Sequence, residues 1–167
     1  MPQAAMPHVY LTIAMIAIAF IGVYSMSLVV NYVNVKCEEA ELNVIASDLS
    51  ARLSRVYMIA NLTPSNEVFI YEEVKLPKEV NQKPYEITLE YNEENGLWYV
   101  VAYLSVRNLT QGKAPVANLT RLQVTPVDLP GNVIFALPLK SNIGKPVVWA
   151  WKKEGETTAG LGYLEVS

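Results

Sequence analysis

Val9 to Val30 reads VYLTIAMIAIAFIGVYSMSLVV, a run without a single charge in which Thr12, Ser25 and Ser27 are the small polar side chains. A helix needs ~20 apolar residues to cross a bilayer core. The run therefore predicts a helix that spans a membrane or packs in an equally apolar place. Hydroxyls are tolerated in such a helix because they bond back to its own carbonyls. Tyr10, Tyr24 and Tyr32 add amphipathic rings near its ends and middle.

Beyond Lys36 the pattern turns amphipathic. Leu42, Ala46, Leu49, Leu53, Val56 and Ala60 recur at steps of four and three, Ile45 and Ile59 widen the stripe, and Glu41, Asp48, Arg52 and Arg55 lie between. This is one apolar face at helical period. No Pro or Gly falls between Gly22 and Asn61, and Thr63-Pro64 ends the run, since proline disfavours helix at the residue before it. One helix is thus predicted from about His8 to Ala60, apolar all round at first and then on one side. Leu42, Ile45, Leu49, Leu53 and Val56 are expected to pack on the domain that follows.

From Val68 the period becomes two. Tyr85, Ile87, Leu89 and Tyr91 alternate with Glu86, Thr88 and Glu90; Asn92 to Gly96 is a turn; Leu97 to Val106 follows as a second strand, so 85–106 reads as a hairpin. Further strands are predicted at 68–76, 116–124, 133–137, 147–151 and 161–166, with Pro and Gly between them. About seven short strands with no alternating helices imply an α+β chain. Its parts are a long N-terminal hydrophobic helix (1–61) and an antiparallel, sandwich-like all-β domain (62–167). A Rossmann-like or α/β-barrel fold does not fit.

Charge sharpens this division. No Asp, Glu, Lys or Arg precedes Lys36. A secretory signal has a basic n-region and a short apolar core; this run has no such n-region and is too long, so an uncleaved segment is expected. The positive-inside rule leaves orientation open, because Lys36 is followed by Glu38, Glu39 and Glu41. The net charge of −3 lacks the basic footprint of a nucleic-acid binder. Cys37 is the one cysteine, so no intrachain disulfide forms, and it reads as a plain helix position.

Chemistry-bearing patterns are sparse. His8 is the lone histidine; no Cys/His cluster has metal-ligand spacing, and no Gly-rich phosphate loop occurs. No catalytic residue and no metal is expected. The acid pairs Glu38-Glu39 and Glu93-Glu94 read as solvated faces, and Trp98, Trp149 and Trp151 as sheet core. Three N-x-Thr triplets begin at Asn61, Asn108 and Asn118. They are candidate N-glycosylation sites, and N-linked glycans are the one attached group considered. Asn108 falls in a predicted loop, Asn118 in a predicted strand, and Asn61 precedes a proline that makes a poor acceptor.

An apolar N-terminus, a helix of about fifty residues that turns amphipathic midway, and an all-β C-terminal domain together resemble archaeal type IV pilins and pilin-like proteins. The stretch Lys75 to Ile87, Leu-Pro followed by Pro-Tyr-x-Ile, is similar to a strand-connecting segment of such proteins. The resemblance implies that Met1 is the first residue left by prepilin peptidase. Ala5 stands where many bacterial pilins carry Glu, and Pro2 and Pro7 are unusual so near the start. It further implies a structural subunit that rests in the cell membrane, meets a pilus assembly machinery, and polymerises with copies of itself into an extracellular filament that serves adhesion. The assembly surface would be Tyr10, Leu11, Ile13, Ile16, Phe20, Val23, Leu28 and Val30. The other readings are a single-pass component of an archaellum or secretion machine, and a tethered binding domain.

Overall fold

The computed structural model describes residues 5–117 and 121–165; for residues 5–8 and 107–109 it describes the backbone alone. Helix α1 covers Ala5–Leu62. Eight strands follow among the described residues: β1 (Val68–Glu73), β2 (Tyr85–Asn92), β3 (Leu97–Leu104), β4 (Arg107–Val116), β5 (Val133–Phe135), β6 (Leu139–Lys140), β7 (Lys145–Lys153) and β8 (Glu156–Leu164). They form two antiparallel four-stranded sheets, ordered β1-β7-β8-β5 and β4-β3-β2-β6. The α+β architecture read from the hydropathy periods is the one observed.

The chain divides into two compact units, and the division falls inside α1, between Cys37 and Glu38. The reading by secondary structure places a boundary at 61/62, where the helix ends. The compact unit starts earlier because the helix supplies its core. Leu42, Ala46, Leu49, Leu53, Val56 and Ala60 share one buried cluster with Ile87, Val100, Ala102 and Leu104 of one sheet and Val148, Ala150, Ala159 and Leu161 of the other. The stripe at helical period and the alternate positions of the strands meet in a single interior. Each large aliphatic side chain buried there contributes about 1.5–3 kcal/mol.

Polar contacts set the helix against the first strand of its sheet. β4 is an edge strand, and a bare edge invites pairing with another chain. Here the edge meets the helix. Asn43 Oδ1 accepts from the Lys113 N–H at 2.9 Å, Ser50 Oγ donates to the Pro115 carbonyl at 2.5 Å, and Ser54 Oγ donates to the Ala117 carbonyl at 3.3 Å. Residues 43, 50 and 54 lie on one side of the helix, and the alternate β4 positions 113 and 115 point their backbone groups the same way. Gly112 brings the two backbones together: a Cβ there would lie 2.2 Å from the Leu42 carbonyl carbon.

These contacts account for one miss of the periodicity. A strand is predicted at 116–124 and a loop at 107–115, where Gly112 and Pro115 stand. The strand is 107–116, and among the described residues beyond it Leu122 makes a lone parallel bridge to Ala159. Pro and Gly weaken a central strand but suit an edge. The nitrogen of Pro115 faces the helix rather than β3 and leaves no ladder bond unmade. Gly112 is where a side chain would collide.

A second, smaller cluster lies on the other face of the β7-β8 sheet. Val133, Val147 and fully buried Trp149 pack there with Phe69, Phe135, Trp151 and Leu164, covered by Val127 and Leu129. Trp149 Nε1 donates to the Leu161 carbonyl at 3.0 Å, which satisfies the one polar atom of its ring. Trp149 is core, as read; Trp98 and Trp151 are half-buried. The two sheets are also pinned at Tyr163, whose hydroxyl donates to the Lys140 carbonyl at 2.9 Å.

Candidate functional site: the exposed apolar helix

Every large apolar residue from Val9 to Val33 is exposed. At 100° per residue their positions cover all sides of the helix, so this segment has no polar face. Tyr10, Leu11, Ile13, Ile16, Phe20, Val23, Leu28 and Val30 all belong to it, each at least half exposed, Phe20 and Val23 at 71 %. Inside a helix the backbone N–H and C=O groups satisfy one another, which is what a spanning segment requires. The segment is long and apolar enough to cross a membrane, and none of its large apolar side chains is buried within the chain.

The energetics decide what such a surface does. Covering these side chains recovers on the order of 20–30 kcal/mol, against about 5–15 kcal/mol for the net stability of a typical domain. Water is the wrong solvent for this segment, and lipid or other apolar helices are the right one. Gly22 has no atom within 4 Å of where its Cβ would be, so the chain itself makes no use of the space beside it.

The residues named for helix-to-domain packing lie elsewhere on α1. Leu42, Leu49, Leu53 and Val56 are 0–2 % exposed and Ile45 is 7 %, all within the compact unit that begins at Glu38. The structure therefore keeps the two sets apart along the sequence.

Glu38, at the start of that unit, corrects an expectation. With Glu39 it reads as a solvated face, yet it is 2 % exposed. Its Oε1 accepts from Lys83 Nζ and from Asn81 Nδ2, the latter at 2.6 Å. Both donors come from a tight turn in which Val80 and Lys83 exchange backbone hydrogen bonds and Asn81 and Gln82 take positive φ of 49° and 61°. Such a two-residue turn is the tightest way to reverse a hairpin. It belongs to the Lys75–Ile87 stretch, which joins β1 to β2. A carboxylate buried this deeply is stable only with such partners. Glu93 and Glu94, in the β2–β3 turn, are exposed.

The glycosylation candidates are dispersed. Asn61 lies in the last turn of α1, exposed, and its Oδ1 accepts from the Thr157 hydroxyl at 3.3 Å. Asn108 lies in β4, not in a loop, and Thr110 of its triplet is 5 % exposed. Asn118 lies outside the described residues. Cys37 is exposed. Among the described residues no three His, Cys, Asp or Glu side chains group to hold a metal ion.

Sequence reasoning missed Glu38, Asn43, Ser50 and Ser54. A signal existed for the last three, since polar side chains at spacings of seven and four mark one side of a helix. A signal existed for Glu38 as well: it precedes Leu42 by four residues and Ile45 by seven, on the extension of the buried stripe, whereas Glu39 is rotated to the edge of that stripe.

Comparison with protein-family models, with curated proteins and with solved structures finds no match for this chain. Its own structure defines a class: one long apolar helix able to anchor in a membrane, and a β-rich domain built on the helix's second half.

Proposed function

We propose that this chain is a structural subunit of an extracellular, type IV pilus-like filament that polymerises through its N-terminal helix and serves adhesion or surface attachment. The observation that carries this reading is the all-round exposure of the uncharged segment from Val9 to Val33. A helix apolar on every side is suited to the middle of a bundle of its own kind, where each side meets a neighbour. The chain's resemblance in layout to archaeal type IV pilins supports the same role.

The mechanism is an exchange of apolar environments. In the membrane the segment is covered by lipid; in the filament it is covered by the same segment of other copies, and both remove similar area from water at ~25 cal/mol per Å². Transfer between them is nearly balanced, so an assembly machinery can drive it. Contacts between copies that do not close on themselves generate an open helical polymer. The β domains then form the wetted sheath, with N-linked glycans at Asn108, Asn118 or Asn61 as candidate decorations. No nucleic acid, metal or catalysis enters this reading.

Electron microscopy of native cell-surface material at subunit resolution tests it. The expected result is filaments with residues 9–33 bundled at the axis. Discrete particles carrying that helix in lipid or detergent overturn polymerisation and favour a single-pass component of an archaellum or secretion machine.

A further inference from the structure

Two aromatic side chains of edge strand β1 lie open on the outer face of their sheet. Tyr71 is 50 % exposed, Phe69 is half-buried, and both stand on the side where Trp149 is fully buried. The rings form a row: Phe69 is 6.4 Å from Trp149 and 6.1 Å from Tyr71, tilted by 32° and 41°. Val127 and Leu129 pack against the cluster of Val133, Val147 and Trp149 on this face as a partial roof. The roof stops at Pro130-Gly131, where Gly131 takes φ of +74° and the chain turns into β5. The cover thus ends short of β1 and becomes a wall.

The result is an open cleft of about 640 Å³ lined by Phe69, Tyr71, Asn132, Lys145 and Glu165 beside that wall. Binding clefts of about 300–1,000 Å³ with an apolar base and a few convergent polar groups are the usual form of a small-ligand site. Three separate elements supply the polar groups here: Asn132 before β5, Lys145 at the start of β7, and Glu165 after β8. A hydrogen bond from the Glu165 N–H to the Asn132 carbonyl at 2.7 Å holds two of these segments together.

The chemistry of the lining selects a ligand class. An aromatic base favours a flat face of C–H groups. An amide, an ammonium and a carboxylate offer both donors and acceptors to hydroxyls. Lys145 and Glu165 cancel in charge, so neither an anion nor a cation is preferred. We propose that this cleft binds a neutral β-1,4-linked gluco-configured oligosaccharide, whose all-equatorial rings present an unbroken axial C–H face to Phe69 and Tyr71 and their hydroxyls to Asn132, Lys145 and Glu165. This binding goes beyond the filament reading and does not depend on polymerisation.

The test uses the full chain in a zwitterionic detergent, which adds no sugar headgroup. Cellotriose and chitotriose are titrated by calorimetry into the parent protein and the variants Tyr71→Ala, Tyr71→Phe and Lys145→Ala. Saturable binding of at least one sugar is expected. It should weaken by about tenfold or more in Tyr71→Ala, the factor that ~1.4 kcal/mol of lost contact gives. Tyr71→Phe, which keeps the ring, should retain it, and Lys145→Ala, which leaves the aromatic base intact, should weaken it. Near-UV circular dichroism confirms that each variant is folded. No saturable binding of either sugar up to about 10 mM, a limit that corresponds to roughly −3 kcal/mol, overturns the proposal. So does equal binding by folded Tyr71→Ala, or tighter binding of sialylated or sulfated glycans.

Discussion

Lys83→Met isolates the contact that buries Glu38. In the parent, a carboxylate 2 % exposed is held by a lysine whose side chain is 35 % exposed and by the Asn81 amide. Removing one partner of a buried pair costs about 3–5 kcal/mol, because the remaining charge stays desolvated. The expected loss lies at the lower end, about 3 kcal/mol, since Lys83 is partly solvated and Asn81 still donates. The companion variant Glu38→Leu/Lys83→Met removes both charges and should recover most of that loss, as apolar replacement of both members is often neutral. The assay is urea denaturation of the full chain in zwitterionic detergent, followed by the combined fluorescence of Trp98, Trp149 and Trp151, all of which lie in the compact unit. A Lys83→Met loss below about 1 kcal/mol, within the range of a surface pair, would refute the reasoning. A double variant no more stable than the single one would do so as well.

Gly112→Ala should destabilise the compact unit by at least about 2 kcal/mol, the cost of overpacking, because the new Cβ meets the Leu42 carbonyl carbon at 2.2 Å and neither backbone can yield cheaply; a shift in thermal midpoint reads it. Tyr85 is fully buried, its hydroxyl donates to the Pro77 carbonyl at 2.7 Å, and burial pushes its pKa well above the ordinary tyrosine value. The unfolded chain then loses that proton near pH 10 while the folded chain keeps it, so stability present below pH ~10 falls above it by about 1.4 kcal/mol per pH unit. Tyr85→Phe should cost about 1 kcal/mol at neutral pH and flatten the alkaline slope, with the remainder carried by Tyr103 and Tyr163, which burial pushes the same way; denaturation series at pH 8 to 11, the range that brackets ~10, would show it. Phe20→Lys puts a charge in the middle of the exposed apolar segment, at about 2.5–3.5 kcal/mol per helix for membrane insertion. It should leave the β domain's melting unchanged and, repeated in every copy, sharply reduce filaments, while membrane retention survives because the penalty is small beside the apolar coverage of the segment; a filament yield equal to the parent's in electron micrographs would refute the role given to this segment.

The hairpin of β2 and β3 was legible because β2 has one buried and one more solvated face, so the period of two survives from Tyr85 to Glu90, and because β3, buried on both faces at Val100, Val101 and Ala102, follows the turn as an unbroken apolar run. Like β2, α1 from Leu42 to Ala60 is buried on one side only. β4 was not legible. It lies at an edge, its residues are set by what the helix requires of that edge, and Gly112 and Pro115 read as loop to any local rule. The open cleft over Phe69 and Tyr71 was equally hidden, since its polar groups come from positions 132, 145 and 165 and meet the rings of 69 and 71 only through the sheet order β1-β7-β8-β5.

Sequence alone determined the existence and solvent preference of the apolar segment. Thirty-five residues without Asp, Glu, Lys or Arg cannot be made polar by any fold, because transfer free energy is a property of the side chains themselves. It also determined the α+β succession, since the period of hydrophobicity is written residue by residue. Tertiary structure decided what pairs with the buried acid and which strand is guarded. Glu38 and Glu39 are the same residue type one position apart. Only the turn at Val80–Lys83, brought to the helix from more than forty residues away, gives one of them partners that make its burial affordable. The helical stripe marks the position of Glu38, but the identity of its partners has no local signature, because the free energy of the pairing belongs to the contact and not to either segment.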